Sequence, residues 1–123
     1  MKNNVVLSRE LTVLKGAFGA VILEALADPQ VVEVMVNADG RVWIDRIGEG
    51  RIDTGETLTY SMRDTILKMV ANHIGETITK DSPQLSAVLP ETGERFQGLC
   101  PPVVSAPCFT IRKRPEIIFT LEN

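Results

Sequence analysis

The sequence is 123 residues long, 44% hydrophobic and 24% charged, with a formal net charge of −3. That is the size and make-up of one soluble globular domain with a single core. An acidic balance lacks the footprint of a general nucleic-acid binder, no apolar run reaches the length of a membrane span, and the opening MKNNVVLSRE has no signal-peptide core, so a cytoplasmic protein is expected.

Leu7, Leu11, Leu14, Phe18, Val21, Ile22 and Ala25 recur at helical spacing. They predict an amphipathic helix over Ser8–Ala27, with Ser8 as its N-cap. Gly16 and Gly19 lie inside it, and each weakens a helix by about 1 kcal/mol relative to alanine. They mark either a frayed helix or the close approach of another backbone, such as a neighbouring subunit's. Asp28-Pro29 ends the helix, because a residue before proline avoids helical backbone angles. Val31–Asn37 and Arg41–Arg46 then flank Ala38-Asp39-Gly40, and Asp-Gly between two β-branched runs predicts a hairpin. On the second strand Val42 and Ile44 share one face while Trp43 and Asp45 take the other. Trp43 is read as a packing residue over the sheet. Gly48-Glu49-Gly50 turns the chain into a short third strand at Arg51–Thr54.

A second helix is expected over Ser61–Ile74, capped by Ser61 with Asp64 or else by Thr59. Met62, Ile66, Met69, Val70 and either His73 or Ile74 form its predicted buried stripe, and Gly75 is a natural stop. His73, with no acidic or cysteine neighbour in the sequence, reads as a packing or solvent-edge residue. After the polar connection Thr77–Pro83, Leu85–Leu89 alternates as a strand closed by Pro90. Glu91-Thr92-Gly93-Glu94 turns it into Arg95–Cys100. Pro101-Pro102 bars both helix and ladder pairing, so that strand must stop. Cys108–Lys113 is the last strand, with Phe109 and Ile111 facing one way and Thr110 and Arg112 the other. Helix, strands, helix, strands defines an α+β class, an antiparallel sheet with helices packed on it.

Cys100 and Cys108 flank the Pro-Pro loop and read as reduced, largely buried thiols. With His73 they supply too few soft ligands for a closed zinc shell. Arg95, Arg112, Lys113 and Arg114 gather positive charge in an otherwise acidic chain. If Arg95–Cys100 and Cys108–Lys113 pair antiparallel with residue numbers summing to 207, Arg95 lies directly opposite Arg112; a slip of one residue puts them on opposite faces. Read from composition alone, all four are solvated charges, with Glu91 and Glu94 as partners for Arg95.

VVEVMVNADGRVWIDRIGEG, VANHIG, LPETGERFQGLCPPVVSAPCFTIRK and the closing FTL resemble the N-terminal domain of conjugative-transfer secretion ATPases, the TrbB and VirB11 group, and above all its TrbB branch. The resemblance covers nearly the whole chain and implies a PAS-like domain over residues 1–114, with residues 115–123 opening the linker to a RecA-like ATPase domain. It further implies a homohexamer using ATP with Mg, working with other secretion and conjugation components at the cytoplasmic face of the inner membrane. Arg95 in GERF and Arg112 in TIRK fall where the family's arginines reach the bound nucleotide. A guanidinium forks onto phosphate oxygens in a bidentate pair, which suits that task. No family role matches Lys113 or Arg114. The chain has no G-x-x-x-x-G-K-[ST] phosphate loop and no Gly-Lys dipeptide, so it is expected to be inactive alone, to hold no tightly bound cofactor and to make no sequence-specific nucleic-acid contact. The other reading is a free-standing PAS-like ligand- or partner-binding module with no ATPase role. A reading frame continuing into a phosphate loop separates the two.

Overall fold

Two successive α-β-β-β runs make up the chain in a computed structural model that describes residues 2–89 and 92–113, with side chains from residue 12 onward. The first run is α1 (Lys2–Ala27), β1 (Val31–Val36), β2 (Arg41–Arg46) and β3 (Gly50–Thr57); the second is α2 (Tyr60–His73), β4 (Gln84–Val88), β5 (Arg95–Leu99) and β6 (Cys108–Arg112). Each run folds its strands as a meander. The two meanders meet where β1 pairs with β6, giving a six-stranded sheet of order β3-β2-β1-β6-β5-β4. Every pairing is antiparallel, so the α+β expectation holds.

Several boundaries differ from the sequence reading, each for a local reason. α1 begins at Lys2 rather than Ser8, and it is kinked: Gly19 takes φ 85 and ψ 168 inside it. A Cβ built at Gly16 or Gly19 would meet nothing within 4 Å, so within this chain these glycines admit no close backbone neighbour; Gly19 serves the kink. Phe18, just before it, packs against Phe109 of β6 with ring centroids 6.2 Å apart. β3 runs on to Thr57, past the expected Thr54, through a bulge in which Gly55 has φ 84. α2 is capped by Thr59, whose hydroxyl accepts the Met62 N–H at 3.1 Å, and not by Ser61.

The buried stripe of α2 is also turned. Ile66 and Val70 are buried as expected, but Met62 is 39% exposed while Arg63, Leu67 and Ala71 lie inside. Packing decides this. Leu67 sits over Gly98 of β5, where an added Cβ would overlap the leucine methyl Cδ2, so the helix rotates its leucine into the notch a glycine leaves. Between helices and sheet lie Phe18, Ile22, Ile66, Leu67, Val34, Val36, Phe96, Phe109 and Ile111, each large side chain contributing about 1.5–3 kcal/mol on burial. Phe96 and Phe109 stack at 5.2 Å. Both helices pack on this one face, and the opposite face is the open one, with Ser86, Val88, Arg95, Gln97 and Arg112 exposed. Gly75 ends α2 with φ 74. The Pro90–Glu91 corner, Arg114 and the predicted linker 115–123 lie outside the described residues.

Candidate functional site

Residues directly opposite one another on neighbouring strands share a face. On the open face one row crosses the whole sheet: Arg51, Asp45, Glu33, Arg112, Arg95 and Val88, one from each strand. Arg95 is the direct partner of Arg112, and the β5–β6 pairs all sum to 207. The slipped register would have put Phe96 and Ile111 on opposite faces, turning one of them out of the core, and both are fully buried, so hydrophobic pattern fixes the register.

Two guanidinium-bearing residues thus face each other across adjacent strands, where like charges repel. Part of this is relieved on one side. Arg112 lies 3.8 Å from the Glu33 carboxylate, with 71% of its side chain exposed, a separation and exposure that make the pair weak. Arg95 is exposed and has no ion pair among the described residues. Glu94, the partner suggested by sequence, instead accepts a hydrogen bond from the Thr92 hydroxyl; Glu91 lies outside the described residues. Arg95 and Arg112 line an open groove of about 670 Å³ together with Glu33, Gln97, Thr110 and Ile74. A second hollow of about 260 Å³ shares Ser86, Gln97 and Thr110 and carries the polar trough on toward Asn37 and Gln84. Such a groove has two forked donors, amide and hydroxyl neighbours and one competing carboxylate. Two guanidinium forks of this kind can chelate the oxygens of an oxyanion.

Lys113, for which sequence offered no role, has a clear place. Its backbone N–H donates to the Val32 carbonyl at 2.9 Å. Its ammonium donates to the carbonyls of Ala25 and Asp28, at the C-terminal end of α1, where a cation also complements the helix dipole. The Asp28 carboxylate accepts the Gln30 N–H at 2.8 Å and the Arg46 guanidinium at 2.5 Å. These two bonds, the backbone one foremost, hold its carboxyl below the usual aspartate range.

Arg63 was missed altogether. It is 5% exposed, and its guanidinium donates to the carbonyls of Leu58, Thr59, Ala38 and Pro107 at 2.7–3.3 Å. It ties the start of α2 to the β1–β2 turn and to the entry of β6. The available signal was its position: Arg63 begins the run Arg63, Ile66, Leu67, Val70, Ala71, a helical stripe whose first member is charged. Cys100 is buried and Cys108 half-buried, both free; burial pushes both thiols up from their ordinary pKa.

The fold that carries this groove is found in a secretion ATPase. The chain superposes on the VirB11 ATPase from the Brucella suis type IV secretion system, solved in complex with sulphate, with a TM-score of 0.76 and 26% identity, over 100% of this chain and 35% of that one. It is 37% identical over 110 residues to the conjugal transfer protein TrbB of Rhizobium radiobacter, covering 89% of this chain and 34% of that protein. Identity to the type IV secretion system protein VirB11 of Brucella suis is 34% over 100 residues, 80% of this chain and 27% of that protein. No protein-family model matches. The antiparallel sheet with its two helices matches the N-terminal region of that VirB11 ATPase. In sequence and fold the chain is a relative of the TrbB and VirB11 proteins, and it spans about a third or less of their length.

Proposed function

We propose that this chain is the N-terminal domain of a hexameric ATPase that powers conjugative DNA transfer or type IV secretion, where it covers the nucleotide held by a C-terminal RecA-like domain and helps form the ring. The observation that carries the reading is the juxtaposition of Arg95 and Arg112 in one exposed row, lining an open groove. Repulsion between them is a standing cost that an oxyanion between the two removes. Support comes also from the VirB11 relative, which holds sulphate, an ion with the tetrahedral oxygens of phosphate.

In this reading ATP arrives with Mg bound by the other domain, and Arg95 and Arg112 fork onto its phosphate oxygens. The groove alone is half a site, so the isolated chain binds ATP only weakly, with Kd near ~1 mM or above, worth about 4 kcal/mol. Ring contacts are heterologous and close only when the rotation per subunit is right; the chain by itself is a monomer or weak dimer in dilute solution. Its place is the cytoplasm, at the inner face of the membrane that the transfer machinery spans.

The test is Arg112→Ala in the full-length protein. ATP hydrolysis at sub-saturating substrate should fall at least tenfold, about 1.4 kcal/mol of lost contact. Unchanged hydrolysis together with an unfolded isolated domain would assign the arginines to structure and end this reading.

A further inference from the structure

We infer that Lys113 is a positioning residue for Arg112, coupling the C-terminal end of α1 to the anion groove; this rests on the nucleotide reading above. Three features converge where β6 ends. First, β1 carries a bulge: Val31 pairs with Arg46 and Glu33 with Asp45, leaving Val32 as the extra residue. Bulges re-aim the strand and its neighbours beside sites. Second, the Val32 carbonyl receives the Lys113 N–H at 2.9 Å, which extends the β1–β6 ladder one residue past Arg112. Third, the Lys113 ammonium reaches the last turn of α1, donating to the Ala25 and Asp28 carbonyls.

The geometry of alternation gives this a consequence. Arg112 and Lys113 are consecutive, so their side chains leave the strand on opposite faces: Arg112 lies in the groove row and Lys113 reaches the helix side. Pinning Lys113 at both its backbone and its side chain fixes the pleat at Arg112. A strand end held by Arg112 alone would have only a weak contact to Glu33, 3.8 Å away, to aim it. One of the two carbonyls that take the ammonium belongs to Asp28, itself braced by Arg46 of β2 and by Gln30. The Asp28–Pro29 corner is therefore the fixed point, and Lys113 carries its position to the groove. Phe18 packs α1 on Phe109 farther up β6, and Lys113 adds a polar link from the C-terminal end of α1 to the residue next to Arg112.

The experiment compares Lys113→Met, Lys113→Arg and Arg112→Ala in the full-length protein, with amide hydrogen exchange on the 123-residue chain as a second readout. Methionine keeps the aliphatic stem and removes the donor. Expected for Lys113→Met are a roughly five- to tenfold rise in KM for ATP with kcat within about twofold, about 1–1.4 kcal/mol of lost binding, and roughly tenfold faster exchange at the Lys113 amide. Lys113→Arg keeps a donor at the helix end and should restore most of the KM. If exchange quickens or the domain melts lower but KM stays put, the tether is structural only and the inference is overturned. If Arg112→Ala itself leaves hydrolysis unchanged, the nucleotide reading falls and takes this inference with it; if Arg112→Ala impairs the enzyme and Lys113→Met does not, only the inference falls.

Discussion

Arg63 and the Arg95–Arg112 pair are the same chemical group placed in opposite circumstances. Arg63 is 5% exposed, with Nε and Nη1 donating to backbone carbonyls from separate segments, whereas Arg112 leaves 71% of its side chain in solvent beside a like charge. A buried guanidinium is tolerable only when its donors are satisfied, so Arg63 is committed to the fold. The exposed pair leaves its forks open and is electrostatically uncomfortable as it stands. Donor satisfaction, more than burial alone, separates an arginine that builds the domain from one available to a ligand.

The most severe way to break this contrast is Arg63→Met. It leaves the carbonyls of Ala38 and Pro107 without their donor and disconnects the β1–β2 turn from the entry to β6. Urea unfolding of the chain should show a loss of about 3 kcal/mol, in the range for dismantling a buried hydrogen-bond network. Arg63→Lys should recover only a minor part, because one ammonium cannot span the same spread of acceptors. A loss below about 1 kcal/mol would mean that water replaces the guanidinium, and the hub would not be structural.

Gly40→Ala strikes the same hub from the backbone side. Gly40 has φ 89, and a Cβ there would overlap the Leu58 carbonyl oxygen at 2.6 Å, an acceptor of the Arg63 guanidinium, and touch that guanidinium at ordinary contact distance. Strain of this kind costs about 1–3 kcal/mol, and because the two sites touch, Gly40→Ala and Arg63→Met should combine less than additively. Strict additivity in a double-mutant cycle would show the turn and the arginine to be independent.

What was legible in the sequence divides along the same line. The strands, the hairpin at Asp39-Gly40 and the α+β class could be read because period-2 patterns and turn residues are local signals. The pairing of Arg95 with Arg112 was reachable as one of two registers, and burial of Phe96 and Ile111 chose it. Arg63 was not reachable by counting apolar residues, since its burial depends on carbonyls that chain topology brings together from residues 38, 58, 59 and 107. The rotation of α2 was hidden for a related reason: the vacancy at Gly98 that receives Leu67 belongs to another element. The role of Lys113 likewise needed the end of α1 to arrive beside β6.

At the exposed pair the expected effects on folding are small and those on binding selective. Arg95→Ala and Arg112→Ala should each change the unfolding free energy by no more than about 0.5 kcal/mol, as for surface positions without structural partners. Glu33→Gln sharpens the contrast from the acid side, since it removes the carboxylate that competes with an anion for Arg112. ATP or pyrophosphate should then bind about two- to fivefold more tightly, the scale of a single exposed charge, with the gain shrinking as salt is raised. Weaker anion binding in Glu33→Gln would instead make Glu33 the residue that aims Arg112.

Arg46 stands between the two extremes, half-buried and paired with Asp28 at 2.5 Å, and it supplies the smallest predicted effect, one visible through pH. The Asp28 carboxyl is held below the ordinary aspartate range by the Gln30 N–H first and by the Arg46 guanidinium second. A carboxyl whose folded pKa is depressed favours the folded state above its unfolded pKa, and that stabilisation is lost as pH falls through the folded value. Asp28→Asn should therefore lower the urea midpoint at pH 7, and the gap to the parent should close as pH drops below about 4, near the unfolded aspartate pKa. Lys113 donates to the Asp28 main-chain carbonyl, which asparagine keeps, so its amide exchange should be unaltered in this variant. That separates the two branches of the corner: loss of the carboxylate removes the acid-sensitive part while the tether to the groove survives. Should Asp28→Asn retain the parent's full acid dependence, the titrating group lies elsewhere, and Arg46 would belong with the exposed arginines rather than with the hub.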